Sequence, residues 1–449
     1  MTIVECFEKG AIENMISTLT SRPDKLIFIG KESQMGDTLE VYKNFLEKQE
    51  YNTFVDTRDI DKNNLADIVR VLTELVESEE ELIIDVTGGE DVVLLAVGMV
   101  YQKYRDTYPI KLQKFNLKNG KIIDCDGDDE VSFDGAFSLS VKDLISLYGG
   151  EVVPETPQPA EYVSSFDINN LWKIVCDDPK RWNKSVSYLR EFEAHAEKKE
   201  REERQKNMTK EEREEDNKKR EGAPSFKMEY SLNIDELSRT IVDYDEKFKE
   251  YCYIIRRLLL EDMVENFSFD GKVFSYKYKD QLIRRCLNKS GDVLEMKTYF
   301  EARDLIENKK NFYSDCYMSV HIDWDGVVHK VDDEIKDTRN EIDVILMRGI
   351  VPVFISCKNG KVEEDELYKL NTVAEKFGGE NARKVLIATD FKRDNEGSEI
   401  AFKQRCKDMN IIFIEDAQEL TDEEWRKMML NIIKNPLACI RKEDRAILT

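Results

Sequence analysis

The chain has no run of about eighteen apolar residues, and no charged start leading through an apolar stretch to a small-residue cleavage site. Neither a membrane span nor a secretory signal is therefore expected, and the cytoplasm is the expected compartment. It also lacks any CxxC pair. The nine cysteines (Cys6, Cys125, Cys176, Cys252, Cys286, Cys316, Cys357, Cys406 and Cys439) are scattered and odd in number, which suits free thiols in a reducing compartment and argues against structural zinc. Positive charge is in deficit. A formal net charge of −24 excludes a surface that coats nucleic acid indiscriminately, because such a surface needs Lys and Arg to displace counterions. Any nucleic-acid contact has to be a local basic groove. No GxGxxG follows the first strand-like run and no GxxxxGK[ST] occurs, which disfavours a dinucleotide redox cofactor and excludes a P-loop. No internal repeat is present.

What remains is the composition of a folded chain, with 41% hydrophobic and 10% aromatic residues against the low-aromatic profile of disorder. At 449 residues it is too long for one ordinary core, so two domains with connecting structure are expected. KLIFIG at 25–30 predicts a buried strand, 37–49 a helix, YNTFVDT a strand, 63–78 a helix, and ELIIDVTGG a strand entering the apolar helix 90–104. That alternation is a doubly wound α/β pattern, assigned to a domain over 1–150. GGEVVPETPQPA at 149–160 stops regular structure and marks its end.

Residues 151–270 read as a largely helical connector. A helical stretch at 165–195 carries Trp172 and Trp182, and 196–222 has nearly balanced charge, which predicts a solvated helix or connector without chemistry. An amphipathic helix over 233–265, a hairpin at the DG of FSFDGKVFSYKY and a helix at 278–288 have the order of a winged helix. The remainder, 271–449, is expected to be a mixed α/β domain around a central sheet. It carries helices at 292–308, 363–377 and 396–408 and strands at 312–323, 341–347, 351–357, 384–389 and 411–415.

The chemistry concentrates in NEIDVILMRGIVPVFISCKNG. Two strands joined by a short RG turn place Glu341 and Asp343 on one face of the first and Ser356 and Lys358 on one face of the second, by the two-residue period. One hairpin thus gathers two carboxylates and a lysine. Metal-dependent phosphodiester hydrolysis needs carboxylates to hold Mg²⁺ or Mn²⁺ and a lysine to orient water or steady developing charge. HIDWDGVVH brings His321, Asp323, Asp325 and His329 close in sequence, but its DG is a turn dipeptide and a plain hairpin is expected there.

At the other end, DVTGGED follows a strand and opens a helix, so backbone N–H groups of Thr87, Gly88 and Gly89 can face an anion. GKESQMGD makes a second polar loop at the same carboxyl edge, where open α/β sheets bind ligands.

Together these residues resemble the CRISPR-associated CARF nucleases, whose cutting domain has the PD-(D/E)xK, restriction-endonuclease-like core. The resemblance implies a Rossmann-like N-terminal CARF domain. It implies a catalytic set of Glu295 from GDVLE, Asp343 from NEID and Lys358 from SCK. Ser356 stands where the family carries a second acid, so Glu341 or Glu366 is expected to compensate, giving metal ligands Glu295, Glu341, Asp343 and Glu366. The resemblance further implies a homodimer that binds a cyclic oligoadenylate, taken as cyclic tetra-adenylate, made by type III CRISPR complexes. The matching positions are Gly30, Lys31, Glu32, Ser33, Gln34 and Met35 in one loop, and Asp85, Thr87, Gly88, Gly89, Glu90 and Asp91 in the other. Glu90 and Asp91 follow the TGG where the family often has lysine. The expected function is an activator-gated, metal-dependent endonuclease acting on DNA or RNA in antiviral defence. The alternatives are a DNA-binding regulator that uses FSYKYKDQLIRR in a winged helix, and a ring nuclease that degrades the activator.

Overall fold

A computed structural model describes the chain except for residues 9, 117–120, 128–129, 133–137, 154–164, 207, 210–211, 213–225, 308–311, 328–338, 394 and 440–449. It divides into two compact units. Unit 1 comprises Met1–Thr156, Leu305–Phe354 and Tyr368–Lys384, and unit 2 comprises Pro157–Asp304, Ile355–Leu367 and Val385–Thr449. No disulfide links the nine cysteines, and no helix among the described residues is long and apolar enough to cross a membrane.

Unit 1 opens with β1 (Thr2–Cys6), α1 (Ala11–Ser21), β2 (Lys25–Gly30), α2 (Glu32–Lys48), β3 (Phe54–Asp59), α3 (Leu65–Ser78), β4 (Leu82–Asp85) and α4 (Asp91–Tyr104), followed by β5 (Ile110–Asn116), β6 (Lys121–Asp124) and β7 (Glu130–Ser132). The strand order is β3-β2-β1-β4-β5-β6-β7, with the first five parallel and the last two antiparallel. This is the doubly wound sheet the alternation predicts. Val4, Cys6, Ile27, Ile29 and Ile84 pack on one face with Ile68, Leu72 and Leu75 of α3 and Val93, Val97 and Val100 of α4. Each such aliphatic side chain contributes about 1.5–3 kcal/mol when fully buried.

Two local differences from the sequence reading have clear causes. The central strand β1 and helix α1 went unread because TIVEC is short and interrupted by Glu5, yet all five of its residues are buried. Helix α2 begins at Glu32, inside the stretch read as a loop. Asp59 Oδ1 accepts from Glu32 N at 2.8 Å and the buried Met35 packs under Gly30, which fixes the first turn there.

The chain continues through α5 (Val141–Leu147), capped at Ser140 by a reciprocal box with Asp143, and β8 (Glu151–Val152). The stretch read as unstructured thus begins with a short strand, whose Val152 pairs with Ile322.

In unit 2, α6 (Ser165–Asp177) leads into α7 (Pro179–Gln205), which starts at the Asp178 cap with proline in its first turn, where a missing N–H costs nothing. β9 (Glu229–Asn233), α8 (Ile234–Thr240), α9 (Tyr244–Leu260), β10 (Val264–Phe269), β11 (Val273–Tyr278), α10 (Gln281–Cys286) and α11 (Asp292–Glu307) follow. The DG hairpin forms as read, but it belongs to a three-stranded sheet of order β10-β11-β9. The helix read as 233–265 breaks at Ile241–Asp243, where Asp243 takes positive φ.

Two helices between β9 and the β10–β11 hairpin, with β11 central in the sheet, keep the winged-helix order, but the short α10 does not present the basic face read there. Leu282, Ile283, Arg284 and Cys286 of the short α10 face inward. The Arg284 guanidinium, 1% exposed, lies 3.2 Å from the fully buried Glu193 carboxylate, and Lys279 pairs with Asp167 at 2.6 Å. Of the basic patch, Arg284 and Lys279 are thus drawn into the fold, while Lys277 stays 39% exposed, 3.9 Å from Glu229.

β12 (Asp315–Asp323), β13 (Arg339–Arg348), β14 (Val351–Asn359), α12 (Asp365–Gly378), β15 (Arg383–Thr389), α13 (Glu396–Asp408), β16 (Ile411–Ile414) and α14 (Asp422–Lys434) complete the chain. The third sheet has the order β16-β15-β14-β13-β12-β8. Of HIDWDGVVH, His321 and Asp323 end β12, and Asp323 and Asp325 both accept from Val327 N in the turn at Gly326. His329 lies outside the described residues.

Candidate active site and activator edge

The TGG turn of unit 1 is held from beneath. Asp85 is fully buried; its Oδ1 accepts from Thr87 N at 2.7 Å, and its Oδ2 accepts from Gln113 Nε2 at 3.0 Å and from Ser17 Oγ. Thr87 Oγ1 accepts in turn from Phe115 N at 2.7 Å. Gly89 takes φ 113°, and a Cβ there would stand 2.8 Å from Cys6 Cβ, so this close approach to β1 requires glycine. The turn thus lies at the carboxyl ends of β4 and β1, as the strand–turn–helix pattern predicts.

Not every residue of the two predicted loops faces outward. Lys31, Glu32, Ser33 and Gln34 are exposed, as are Glu90 and Asp91, while Gly30, Met35 and Asp85 are buried. Asp85 supports the turn, and Met35 packs against Gly30. Glu90 pairs with Lys62 at 2.8 Å.

Two acids missed in the sequence share this edge. Glu5, in register beside Asp85, is almost fully buried, and its Oε1 has no hydrogen-bond partner among the described residues. Burial, reinforced by the neighbouring Asp85, raises its pKa well above the usual carboxylate range. Glu8 accepts from Gly89 N at 3.3 Å while Asn14 grips its backbone through two hydrogen bonds, at 2.8 and 2.7 Å. Neither could be found from periodicity, because neither an acid inside an apolar strand nor one in the loop after it gives a signal of its distant partner.

Of the predicted cutting residues, unit 1 carries Glu341 and Asp343 on β13. Glu341 is exposed, opposite His321, with 3.8 Å between carboxylate and imidazole. Asp343 is half-buried.

Unit 2 carries the others. Lys358 leaves the buried strand β14 and meets Glu366 of α12 at 3.0 Å, and Ser356 is buried one residue pair earlier. Glu295 lies in the first turn of α11. Thr298, one helical turn on, meets Cys357 Sγ at 3.5 Å, which sets α11 against the face of β14 that alternates with that of Ser356 and Lys358. Lys358 and Glu366 are brought together at one strand end. Among the described residues, no three His, Cys, Asp or Glu side chains form a ready-made metal cluster. The chemistry of the predicted donors nevertheless fits Mg²⁺ or Mn²⁺, hard cations that take one or two carboxylates and complete their shell with water and phosphate oxygens.

Sequence reading also missed Asn359, which follows Lys358. Its Nδ2 donates to the Ser290 carbonyl at 2.9 Å, its Oδ1 accepts from Thr389 Oγ1, and its carbonyl accepts from Asn183 Nδ2 at 3.0 Å.

No family model matches the chain, and no curated protein does. Solved structures do. The crystal structure of protein VC1899 from Vibrio cholerae is similar over 97% of this chain and 98% of its own, with a TM-score of 0.68 and 15% identity. Can2 from Sulfobacillus thermosulfidooxidans, in complex with cyclic tetra-adenylate, is similar over 95% of this chain and 98% of its own, with a TM-score of 0.59 and 15% identity. At that identity the likeness establishes a shared fold along nearly the whole chain.

Proposed function

We propose that this chain is a cyclic-oligoadenylate-activated, metal-dependent endonuclease of type III CRISPR defence, working as a homodimer. The observation that supports the reading is Lys358, near the end of a buried strand and 3.0 Å from the Glu366 carboxylate. The fold shared with a protein solved around cyclic tetra-adenylate supports the activator, and the TGG turn at the carboxyl edge of the first sheet is where it would bind.

The resemblance implies Asp343 and Glu295 as carboxylates that would hold the cation, with Glu341 or Glu366 in place of the acid that Ser356 does not supply. A bound Mg²⁺ or Mn²⁺ polarises the phosphate and lowers the pKa of a water. Lys358, released from Glu366 by the incoming phosphate, orients that water and steadies charge on the phosphoryl oxygens. Thr87, Gly88 and Gly89 offer backbone N–H groups to the activator's phosphates, and Ser33 and Gln34 offer polar side chains.

Lys358→Ala is expected to lower cutting at least about a hundredfold, the scale on which a single charge-stabilising donor matters, while cyclic tetra-adenylate binding measured by calorimetry stays unchanged. Retained cutting overturns the assignment.

A further inference from the structure

Four stretches of unit 2 converge on Asn359: the start of α7 through Asn183, the loop before α11 through Ser290, the end of β14 itself, and the end of β15 through Thr389. Trp182, fully buried, adds a bond of 3.0 Å from its Nε1 to the same Ser290 carbonyl. The convergence lies immediately beside Lys358 in the chain. Each stretch also brings an exposed lysine: Lys180 ahead of Asn183, Lys289 beside Ser290, Lys361 after Asn359 and Lys392 after Thr389.

Their pairing is uneven. Lys361 lies 2.6 Å from Glu363. Lys180 and Lys392 instead reach one carboxylate, Asp390, at 3.4 and 3.3 Å. Asp390 is only 16% exposed, whereas the two lysine side chains are 66% and 69% exposed, so the ammonium groups stand outermost, with Asp390 sunken between them and Asp416 the next acid near Lys392. In a chain of net charge −24 these outermost ammonium groups run against the general sign. Gly360, at φ 102°, keeps the edge between Lys358 and these lysines free of a side chain.

We infer that Lys180, Lys289 and Lys392 form a rim that receives the phosphodiester backbone of a nucleic-acid strand, with Asn359 holding the contributing loops in register. Lysines are compact charges that contact phosphates without reading bases, so the rim grips a strand independently of sequence and lays it past Lys358. The inference deepens the nuclease reading and rests on it for the direction in which the strand runs.

The test uses the full-length protein with cyclic tetra-adenylate present and Ca²⁺ in place of Mg²⁺ or Mn²⁺. Binding of fluorescein-labelled single-stranded and duplex DNA and single-stranded RNA is followed by anisotropy across a salt series. The double variant Lys180→Glu/Lys392→Glu is expected to bind at least about tenfold more weakly, with a salt slope shallower by about 2, one for each phosphate the rim no longer neutralises. Lys289→Glu alone should flatten the slope by about 1. It carries the test if the double variant, which strips Asp390 of both partners, fails to fold. In Mg²⁺ the variants should raise KM more than they lower kcat. Lys43→Glu on α2 is the control and should change neither slope nor affinity. Unchanged affinity and slope in the rim variants, in a protein whose Lys358→Ala form no longer cuts, overturns the rim and leaves the nuclease reading standing. Weakened binding in the rim variants together with full cutting by Lys358→Ala keeps the rim and overturns the catalytic assignment.

Discussion

Glu5 is a carboxyl group in the middle of the central strand of the first sheet, and Asp85 beside it has taken the donors of Ser17, Gln113 and Thr87. A carboxyl buried without donors stays protonated, whereas the same group ionises in the unfolded chain once the pH passes the ordinary carboxylate range. Folding therefore takes up a proton. The contribution of Glu5 to stability is full below that range and declines as pH rises toward its elevated folded value, by up to about 1.4 kcal/mol per pH unit for one proton. Thermal melts between acid and neutral pH should show Glu5→Gln gaining on the wild type as pH rises, and parallel curves would show Glu5 ionised in the fold. Glu8 makes a different prediction. Its carboxylate accepts from the Gly89 amide, on the turn that would meet an activator phosphate, so like charge opposes binding. Glu8→Gln should tighten cyclic tetra-adenylate binding by roughly fivefold to tenfold, about 1 kcal/mol of relieved repulsion at a partly exposed site. Calorimetry reads this directly, and weaker binding would instead make Glu8 a brace of the turn. Lys358 was legible because it ends an apolar strand two residues after Ser356, a period-two relation. Glu5, Glu8 and Asn359 were not, because their roles depend on partners far along the chain.

At the scale of the element, α4 is the informative case. It is apolar nearly all round, which ordinarily marks a helix covered on every side, yet Leu95 is 57% and Met99 is 49% exposed, one turn apart with Gly98 between them. A second copy of the chain is the occupant the homodimer reading requires, and a twofold contact would count each side chain twice at about 1.5–3 kcal/mol each when fully buried. Leu95→Glu/Met99→Glu should therefore shift the light-scattering mass toward the monomer and weaken activator response, and an unchanged mass would remove this face from the interface. Strands set in the interior, such as KLIFIG and VPVFIS, were legible from their apolar runs. What failed was the edge of each pattern. α2 starts earlier than its apolar period because Asp59 caps Glu32, β9 was hidden by the charged run before it, and α10 read as a basic face because nothing local announces that Glu193 awaits Arg284.

For the whole molecule, charge and ligand response are the measurable properties. A net charge of −24 repels nucleic acid at long range, so any binding through the local basic rim should depend on salt. In the proposed function, the switching energy would come from tighter binding of the activator to the cutting-competent state than to the resting one. The doubly wound fold was legible in the strand–helix alternation, whereas at 15% identity the likeness to the cyclic tetra-adenylate complex could be traced only through the TGG turn and the strand–lysine ending. The most direct measurement is cleavage of labelled single-stranded DNA, single-stranded RNA and supercoiled plasmid, with and without Mn²⁺ or Mg²⁺ and with and without cyclic tetra-adenylate, using Lys358→Ala as the blank. The account predicts cutting of at least one substrate only when metal and activator are both present, and none by the variant. Cutting that proceeds without either one, or that survives in Lys358→Ala, would contradict it.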